Sequence, residues 1–154
     1  MRPVSKRSAL VQARPHTKGF TLLELALIGL LISICGPNYS RVLLRGRTME
    51  ARAMLDAIAA AERAHFRDHG SYLACAPSSA AVPKGTRGAF DLAAPGWRDL
   101  GVRAEGPVYY KYQVKLDGAG FVAQAEGDLD GDGVTSRFTL DGRTLKLKVE
   151  NELE

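Results

Sequence analysis

An uninterrupted apolar stretch near the N-terminus constrains this chain more than any other feature of its sequence. Residues 20–40 contain one acid, Glu24, and no basic residue occurs between Lys18 and Arg41. A helix over this stretch, rising about 1.5 Å per residue, is about 31 Å long, which is close to the thickness of a bilayer core. We therefore predict a membrane-spanning helix over residues 20–40.

A basic leader precedes the apolar stretch. Residues 1–19 contain basic side chains and no acid, whereas the rest of the chain is close to neutral. The net charge of +4 is therefore a property of the leader and gives no reason to expect a nucleic-acid partner. The positive-inside rule places the leader in the cytoplasm and the C-terminal part outside it, although Arg41, Arg45 and Arg47 weaken the asymmetry of charge.

The helical pattern continues beyond the apolar stretch. Apolar residues recur at spacings of three and four from Ala51 to Phe66, and several alanines add helix propensity. We predict one helix of about 50 residues in which residues 41–70 form an amphipathic half. A kink is expected at Gly36 and Pro37, because proline cannot donate the backbone hydrogen bond of a helix.

The last third of the chain follows a period of two. After a loop-rich segment over 71–107, apolar and polar residues alternate from Val108 to Leu116, which is typical of a half-buried strand. Further strands are predicted over 121–126, 135–140 and 144–149. The predicted fold class is α+β: a four-stranded antiparallel meander over 108–154, packed against the amphipathic half of the long kinked N-terminal helix.

The junction between the leader and the apolar stretch has a distinctive sequence. It reads Lys18-Gly19-Phe20-Thr21-Leu22-Leu23-Glu24-Leu25. This junction resembles the processing site of type IV pilins and of the pseudopilins of type II secretion. The resemblance continues through Pro37-Asn38-Tyr39 and on to His69-Gly70-Ser71-Tyr72-Leu73. It implies cleavage between Gly19 and Phe20 by prepilin peptidase, methylation of the new N-terminus at Phe20, and the pilin fold.

The resemblance implies a structural subunit and not an enzyme. Such a precursor lies in the bacterial inner membrane, where its partners are prepilin peptidase, the assembly machinery and membrane lipid. The mature chain then polymerises through its N-terminal helix with like or related subunits into a cell-surface or periplasmic filament. A carboxylate in an apolar helix costs about 2.5 to 3.5 kcal/mol at mid-bilayer and calls for a partner. In the family, the residue at the position of Glu24 pairs with the α-amine of a neighbouring subunit.

Several functional hypotheses stay open. The first is a pilus subunit, and a minor pilin is included because Pro37 lies about one helical turn closer to the cleavage site than is common in the family. The second is a type II secretion pseudopilin. The third is a membrane-anchored calcium-binding domain that does not polymerise. A secretory signal peptide fits less well, because no small-x-small cleavage site follows the apolar stretch.

An acidic segment late in the chain resembles the beginning of an EF-hand loop. Asp128, Asp130 and Asp132 alternate with other residues, and Gly133 follows the third aspartate. Oxygen ligands at such positions suit Ca²⁺, and glycine allows the sharp turn. Thr139, however, stands where a bidentate glutamate is expected. A weak calcium site and a solvated turn between two strands are both left as interpretations.

The remaining residues with reactive side chains form no catalytic site. His65 and His69 are four residues apart, but no third metal ligand accompanies them. Cys35 belongs to the predicted membrane helix and Cys75 to a loop, so a disulfide between them is not expected. The sequence therefore predicts no catalytic residue, no required cofactor and at most bound Ca²⁺.

Overall fold

A computed structural model describes residues 19–153 of the chain, without the side chains of 34–38 and 40. Residues 1–18 of the predicted leader lie outside the described part. The chain divides into two compact units, Met1–Gly36 and Pro37–Glu154. The helices and strands of the described residues are α1 (Leu22–His69), α2 (Trp97–Leu100), β1 (Lys111–Asp117), β2 (Gly120–Gly127), β3 (Ser136–Asp141) and β4 (Leu147–Glu150).

The described residues of the first unit expose their apolar side chains. Phe20 is 72% exposed, and Leu22 is 87% exposed. The other large apolar side chains up to Ile32 are also exposed. In the part of the chain that the structure describes, no helix combines the length and the apolar character needed to cross a membrane.

In the second unit, one face of α1 is buried. Its buried residues recur at spacings of three and four, which places them on one side of a helix. They are Thr48, Ala51, Leu55, Ile58, Ala59 and Glu62. The apolar members belong to the same hydrophobic core as the buried side chains of β1, β2 and β3. The helix ends at His69, and Gly70 follows in the left-handed conformation with a φ of 76°.

The four strands form an antiparallel meander in the order β1-β2-β3-β4. Across the sheet, Ala125 of β2 pairs with Tyr112 of β1 on one side and with Phe138 of β3 on the other. All three side chains are fully buried. Because directly opposite side chains on a sheet lie close together, the small side chain of Ala125 leaves room for the two aromatic rings beside it.

The loop-rich segment before the sheet contains α2 and is attached to β1. Trp97 begins α2, is fully buried, and donates from Nε1 to the carbonyl oxygen of Ala76 at 2.8 Å. A backbone bridge pairs Cys75 with Val114. The segment therefore supplies part of the core and is not only a connection.

Two strands are shorter than the alternating pattern predicts. β1 begins at Lys111, and Val108 instead forms an isolated bridge with Gly88. β4 begins at Leu147, because Leu145 has a φ of 56° and therefore belongs to the turn. The turn is closed by a hydrogen bond from the Leu145 amide to the Asp141 carbonyl oxygen at 2.8 Å.

The predicted fold class is wrong in its account of the N-terminal half. The prediction is a single long kinked helix, with a membrane half and an amphipathic half that packs on the sheet as in pilins. The chain instead divides into two compact units between Gly36 and Pro37, within the bounds of α1. The part of α1 that packs on the sheet is short, with its buried residues between Thr48 and Glu62. The physical reason is that the apolar side chains from Phe20 to Ile32 are exposed and bury no comparable face. The antiparallel sheet itself is present.

Glu62 is a buried acid at the interface between α1 and the segment that follows it. Its side chain is fully buried, and Oε2 accepts a hydrogen bond from the Leu73 amide at 3.0 Å. Oε1 meets no hydrogen-bond partner in the described structure. Burial therefore raises the pKa of Glu62, although the Leu73 amide and the neighbouring His65 act in the opposite direction.

We expect Glu62→Gln to stabilise the Pro37–Glu154 unit at neutral pH. When the pKa of a carboxyl is raised in the folded state, the folded unit loses stability as the pH rises from the unfolded pKa of that carboxyl, about 4.3, through its folded pKa. Each unit of raised pKa corresponds to about 1.4 kcal/mol. Glutamine can still accept from the Leu73 amide but does not ionise. Urea unfolding across this pH window measures the effect.

Asp56→Asn is the matched control, because Asp56 is exposed on the same helix. The free energy of unfolding of Glu62→Gln should fall less than that of the wild type as the pH rises. Equal pH dependence in the wild type and in Glu62→Gln would contradict a buried, ionising Glu62.

Candidate functional site

The residues that flank the predicted cleavage site lie outside regular structure. Gly19 and Phe20 precede α1, and both are exposed. A Cβ atom added at Gly19 would meet no atom of the described residues within 4 Å. The described part of the chain therefore accommodates a larger residue at position 19. A requirement for glycine at this position would have to come from an enzyme that binds the junction.

Thr21 and Glu24 bond to each other at the start of α1. Glu24 Oε2 accepts from the Thr21 amide at 2.8 Å and from the Thr21 hydroxyl at 2.9 Å. The Glu24 amide in turn donates to Thr21 Oγ1 at 3.2 Å. These reciprocal bonds are a capping box, which satisfies backbone donors that have no partner within the helix. Thr21 thus fixes the beginning of the helix at Leu22, two residues after Phe20.

The capping role of Thr21 is absent from the predictions made from the sequence. The signal was present, because Thr-x-x-Glu before an apolar run is the sequence signature of a capping box. The consequence concerns Glu24: its carboxylate is exposed and already bonded within its own chain. Any role of its charge must be separated experimentally from its role in the cap.

The predicted kink at Gly36 and Pro37 stays a prediction. Both residues lie within the bounds of α1, but their side chains lie outside the described part of the structure. The boundary between the two compact units falls between them.

The three aspartates of the acidic segment come together between β2 and β3. One carboxylate oxygen from each of Asp128, Asp130 and Asp132 lies within 4.8 Å of the others. Asp128 is 1% exposed, and its two carboxylate oxygens accept from the amides of Gly131 at 2.7 Å and Gly133 at 3.1 Å. Both glycines have positive φ, which glycine adopts at little cost.

The other two aspartates are exposed and also bond to the backbone of the loop. Asp130 Oδ1 accepts from the Asp132 amide at 3.2 Å, and Asp132 Oδ1 accepts from the Val134 amide at 2.7 Å. All three side chains offer oxygen, the donor that Ca²⁺ prefers. A calcium ion takes six to eight oxygens, so backbone carbonyls and water would have to complete the shell.

Ser136 and Thr139, which follow the three aspartates where later ligands of an EF-hand loop would stand, lie in β3. Ser136 is fully buried in β3, where its hydroxyl donates to the Tyr110 hydroxyl at 3.3 Å. Thr139 lies in the middle of β3 and pairs with Gln124 and Lys148. The segment between β2 and β3 that carries the three aspartates, which we call the acidic loop (residues 128–135), therefore ends where β3 begins. Among the described residues, the second half of an EF-hand loop has no counterpart.

Arg47 holds the acidic loop against α1. Its Nη1 donates to the carbonyl oxygens of Leu129 at 2.5 Å and Gly85 at 3.4 Å. The guanidinium carbon lies 4.7 Å from the centroid of the Tyr109 ring. No local pattern marks this residue, because its partners are far away in the sequence.

Glu50, one turn after Arg47, joins α1 to the start of β1. Its Oε1 accepts from the Tyr109 amide at 2.7 Å and lies 3.5 Å from the Tyr112 hydroxyl. Burial raises the pKa of Glu50, and the Tyr109 amide and the Arg87 charge partly offset this rise. Arg47 and Glu50 are thus polar contacts that position the helix.

The surroundings of His65, His69 and Cys75 favour a structural role for these side chains. The His65 and His69 rings stack with their centroids 4.3 Å apart, and the described residues bring no third metal ligand to them. Cys75 is buried, and burial raises the pKa of its thiol to about 12. Such a thiol is protonated at neutral pH and is a poor nucleophile. The Cys35 side chain lies outside the described residues.

Comparison of the chain with protein-family models, with curated proteins and with solved structures finds no match. A functional proposal therefore has to rest on the chain's own residues. Those that carry it are the junction at Gly19 and Phe20, the capped carboxylate of Glu24, and the acidic loop.

Proposed function

We propose that the chain is a type IV pilin-like precursor, a structural subunit that is cleaved between Gly19 and Phe20 and polymerises through the helix that follows. The observation that carries the proposal is the exposed apolar surface of residues 20–32, directly after an exposed, non-helical Gly19-Phe20 bond. Isolated apolar side chains on a surface are ordinary, but a continuous apolar surface marks a contact with lipid or with another protein.

In the proposed function, the apolar residues lie first in a membrane and then in a filament. Before assembly, the apolar residues lie in the bacterial inner membrane, with the leader in the cytoplasm and the folded unit outside it. After cleavage and methylation, the same residues contact like or related subunits in a filament. Prepilin peptidase and the inner-membrane assembly machinery are the partners that carry out these steps. The subunit itself catalyses nothing.

Glu24 supports the filament interpretation over a simple anchor. The cap with Thr21 needs no charge, because glutamine can serve in a capping box as well as glutamate. A single-span anchor therefore gains nothing from the charge of Glu24 in its apolar stretch. Cleavage after Gly19 creates an α-amine on Phe20, and such an amine on a neighbouring subunit can neutralise Glu24 in an apolar core. A pseudopilin of type II secretion remains the alternative within the same proposal, since the same contacts would serve it.

We expect coexpression with a prepilin peptidase to shorten the chain by 19 residues and to leave Phe20 at the N-terminus. Gly19→Val should block this cleavage. Because a Cβ at position 19 meets no atom within 4 Å among residues 19–153, a block would report recognition by the peptidase and not misfolding of the described part. Gel migration and N-terminal sequencing are the measurements. Identical full-length products from wild type and Gly19→Val would count against the proposal and favour a non-polymerising anchor.

We expect Glu24→Gln to impair incorporation into filaments as strongly as Glu24→Ala. Glutamine preserves the capping box with Thr21 and removes only the charge, whereas alanine removes both. Immunodetection in sheared filament fractions, from a strain lacking the wild-type protein, measures incorporation.

Thr21→Val is the matched control for that experiment, because it removes the capping hydroxyl and keeps the Glu24 charge. It should be incorporated close to wild type. If Thr21→Val fails as strongly as Glu24→Ala while Glu24→Gln assembles normally, the cap and not the charge is what assembly requires.

Calcium binding at the acidic loop is a second candidate function, which the closeness of three carboxylate oxygens favours. We expect Ca²⁺ to raise the thermal midpoint of the Pro37–Glu154 unit relative to chelator. At a hundredfold excess over the dissociation constant, the stabilisation would be about 2.7 kcal/mol. Asp130→Asn keeps a side-chain oxygen for the turn and removes one charge, so the rise should shrink. Equal midpoints with Ca²⁺ and with chelator in the wild type would leave a solvated turn.

A further inference from the structure

The proposed function does not explain two exposed arginines that follow the apolar stretch. Arg47 is accounted for by its bonds to the acidic loop, but Arg41 and Arg45 are both exposed. Among the described residues, neither has an acidic partner in an ion pair. The sequence contains no acid between Glu24 and Glu50.

These arginines share a side of α1 with exposed apolar residues. Val42, Arg45 and Met49 are spaced by three and four residues, which places them on one helical face. Val42 and Met49 are each 63% exposed. Arg41 lies one turn before Arg45 beside this face. Cationic and apolar side chains thus alternate on one solvent-facing surface, which we call the basic apolar face (Arg41, Val42, Arg45 and Met49).

The position of this face along the chain matches the headgroup layer of a bilayer. Arg41 directly follows residues 20–40, which the proposed function takes to lie in the bilayer, and Arg45 lies one helical turn later. A headgroup layer of about 5 to 8 Å covers each side of the hydrocarbon core. The first basic residues beyond the apolar stretch therefore reach the headgroups on the far side of the core.

We propose that the basic apolar face binds the phosphates of anionic phospholipids on the extracytoplasmic surface of the membrane before the subunit is assembled into a filament. This inference rests on the proposed function, because it takes residues 20–40 to lie in the bilayer. Guanidinium groups pair well with phosphate oxygens. Val42 and Met49 add apolar contact at the same depth, as in interfacial helices. The anchored precursor is thereby held at a defined height, and removal into a filament has to break these contacts.

The test uses the full chain in lipid nanodiscs that contain a trace of phosphatidylglycerol or phosphatidylcholine with a photoactivatable headgroup. Mass spectrometry maps the adducts to residues 39–49. We expect preferential labelling by phosphatidylglycerol that declines as the salt concentration rises. Arg41→Gln with Arg45→Gln should lower the preference by about fivefold for each arginine, since a basic residue near an anionic surface contributes about 1 kcal/mol.

Two further variants make the test specific. Arg63→Gln with Arg67→Gln removes the same charge from an exposed pair with the same spacing on the same helix, and it should leave the preference unchanged. Arg41→Lys with Arg45→Lys should retain most of the preference. Equal labelling by the two lipids, or no effect of the glutamine pair, would overturn the inference. Crosslinks from this face to a second chain in place of lipid would also overturn it.

The outcomes separate this inference from the proposed function. A chain that is cleaved after Gly19 and enters nanodiscs but shows no lipid preference contradicts only the lipid contact. A chain that does not enter nanodiscs at all overturns both.

Discussion

The removal of apolar side chains from water is the interaction that distinguishes the two units of this chain. Residues 20–32 expose leucine and isoleucine side chains that could each gain about 1.5 to 3 kcal/mol by burial. The Pro37–Glu154 unit, by comparison, has a complete core of its own. The described residues of the first unit leave this apolar surface uncovered. Lipid and neighbouring subunits are the two environments that cover it in the proposed function.

Polar contacts decide where the rest of the helix lies. The hydrophobic core fixes which face of α1 is buried, but apolar contacts alone allow a helix to slide. Arg47 and Glu50 remove this freedom, because each bonds to a backbone group at a defined place, the Leu129 carbonyl and the Tyr109 amide. Glu62 adds a third such bond to the Leu73 amide. Unlike Glu50, Glu62 is fully buried, and its Oε1 has no hydrogen-bond partner among the described residues.

Features set by local periodicity could be predicted from the sequence, and features set by distant contacts could not. Alternation along the chain indicates antiparallel strands, because the side-chain period of a strand is a local property. The late start of β4 depends on the left-handed conformation of Leu145, for which leucine gives no warning. The contact between Arg47 and Leu129 joins residues remote in sequence and has no local signal. At the junction, the Thr21–Glu24 cap was readable in advance, whereas the division of α1 between two compact units was not.

The bonds of Arg47, Glu50 and Glu62 have a mechanical consequence. They lie at successive places along one helix, and each joins it to a different part of the folded unit. Tension along the helix axis would act on these bonds in shear, so the helix could slide only after several of them had broken. Resistance to pulling is a matter of unfolding rate and not of equilibrium stability. A subunit whose helix bears load can therefore be mechanically firm even where its folding free energy is ordinary.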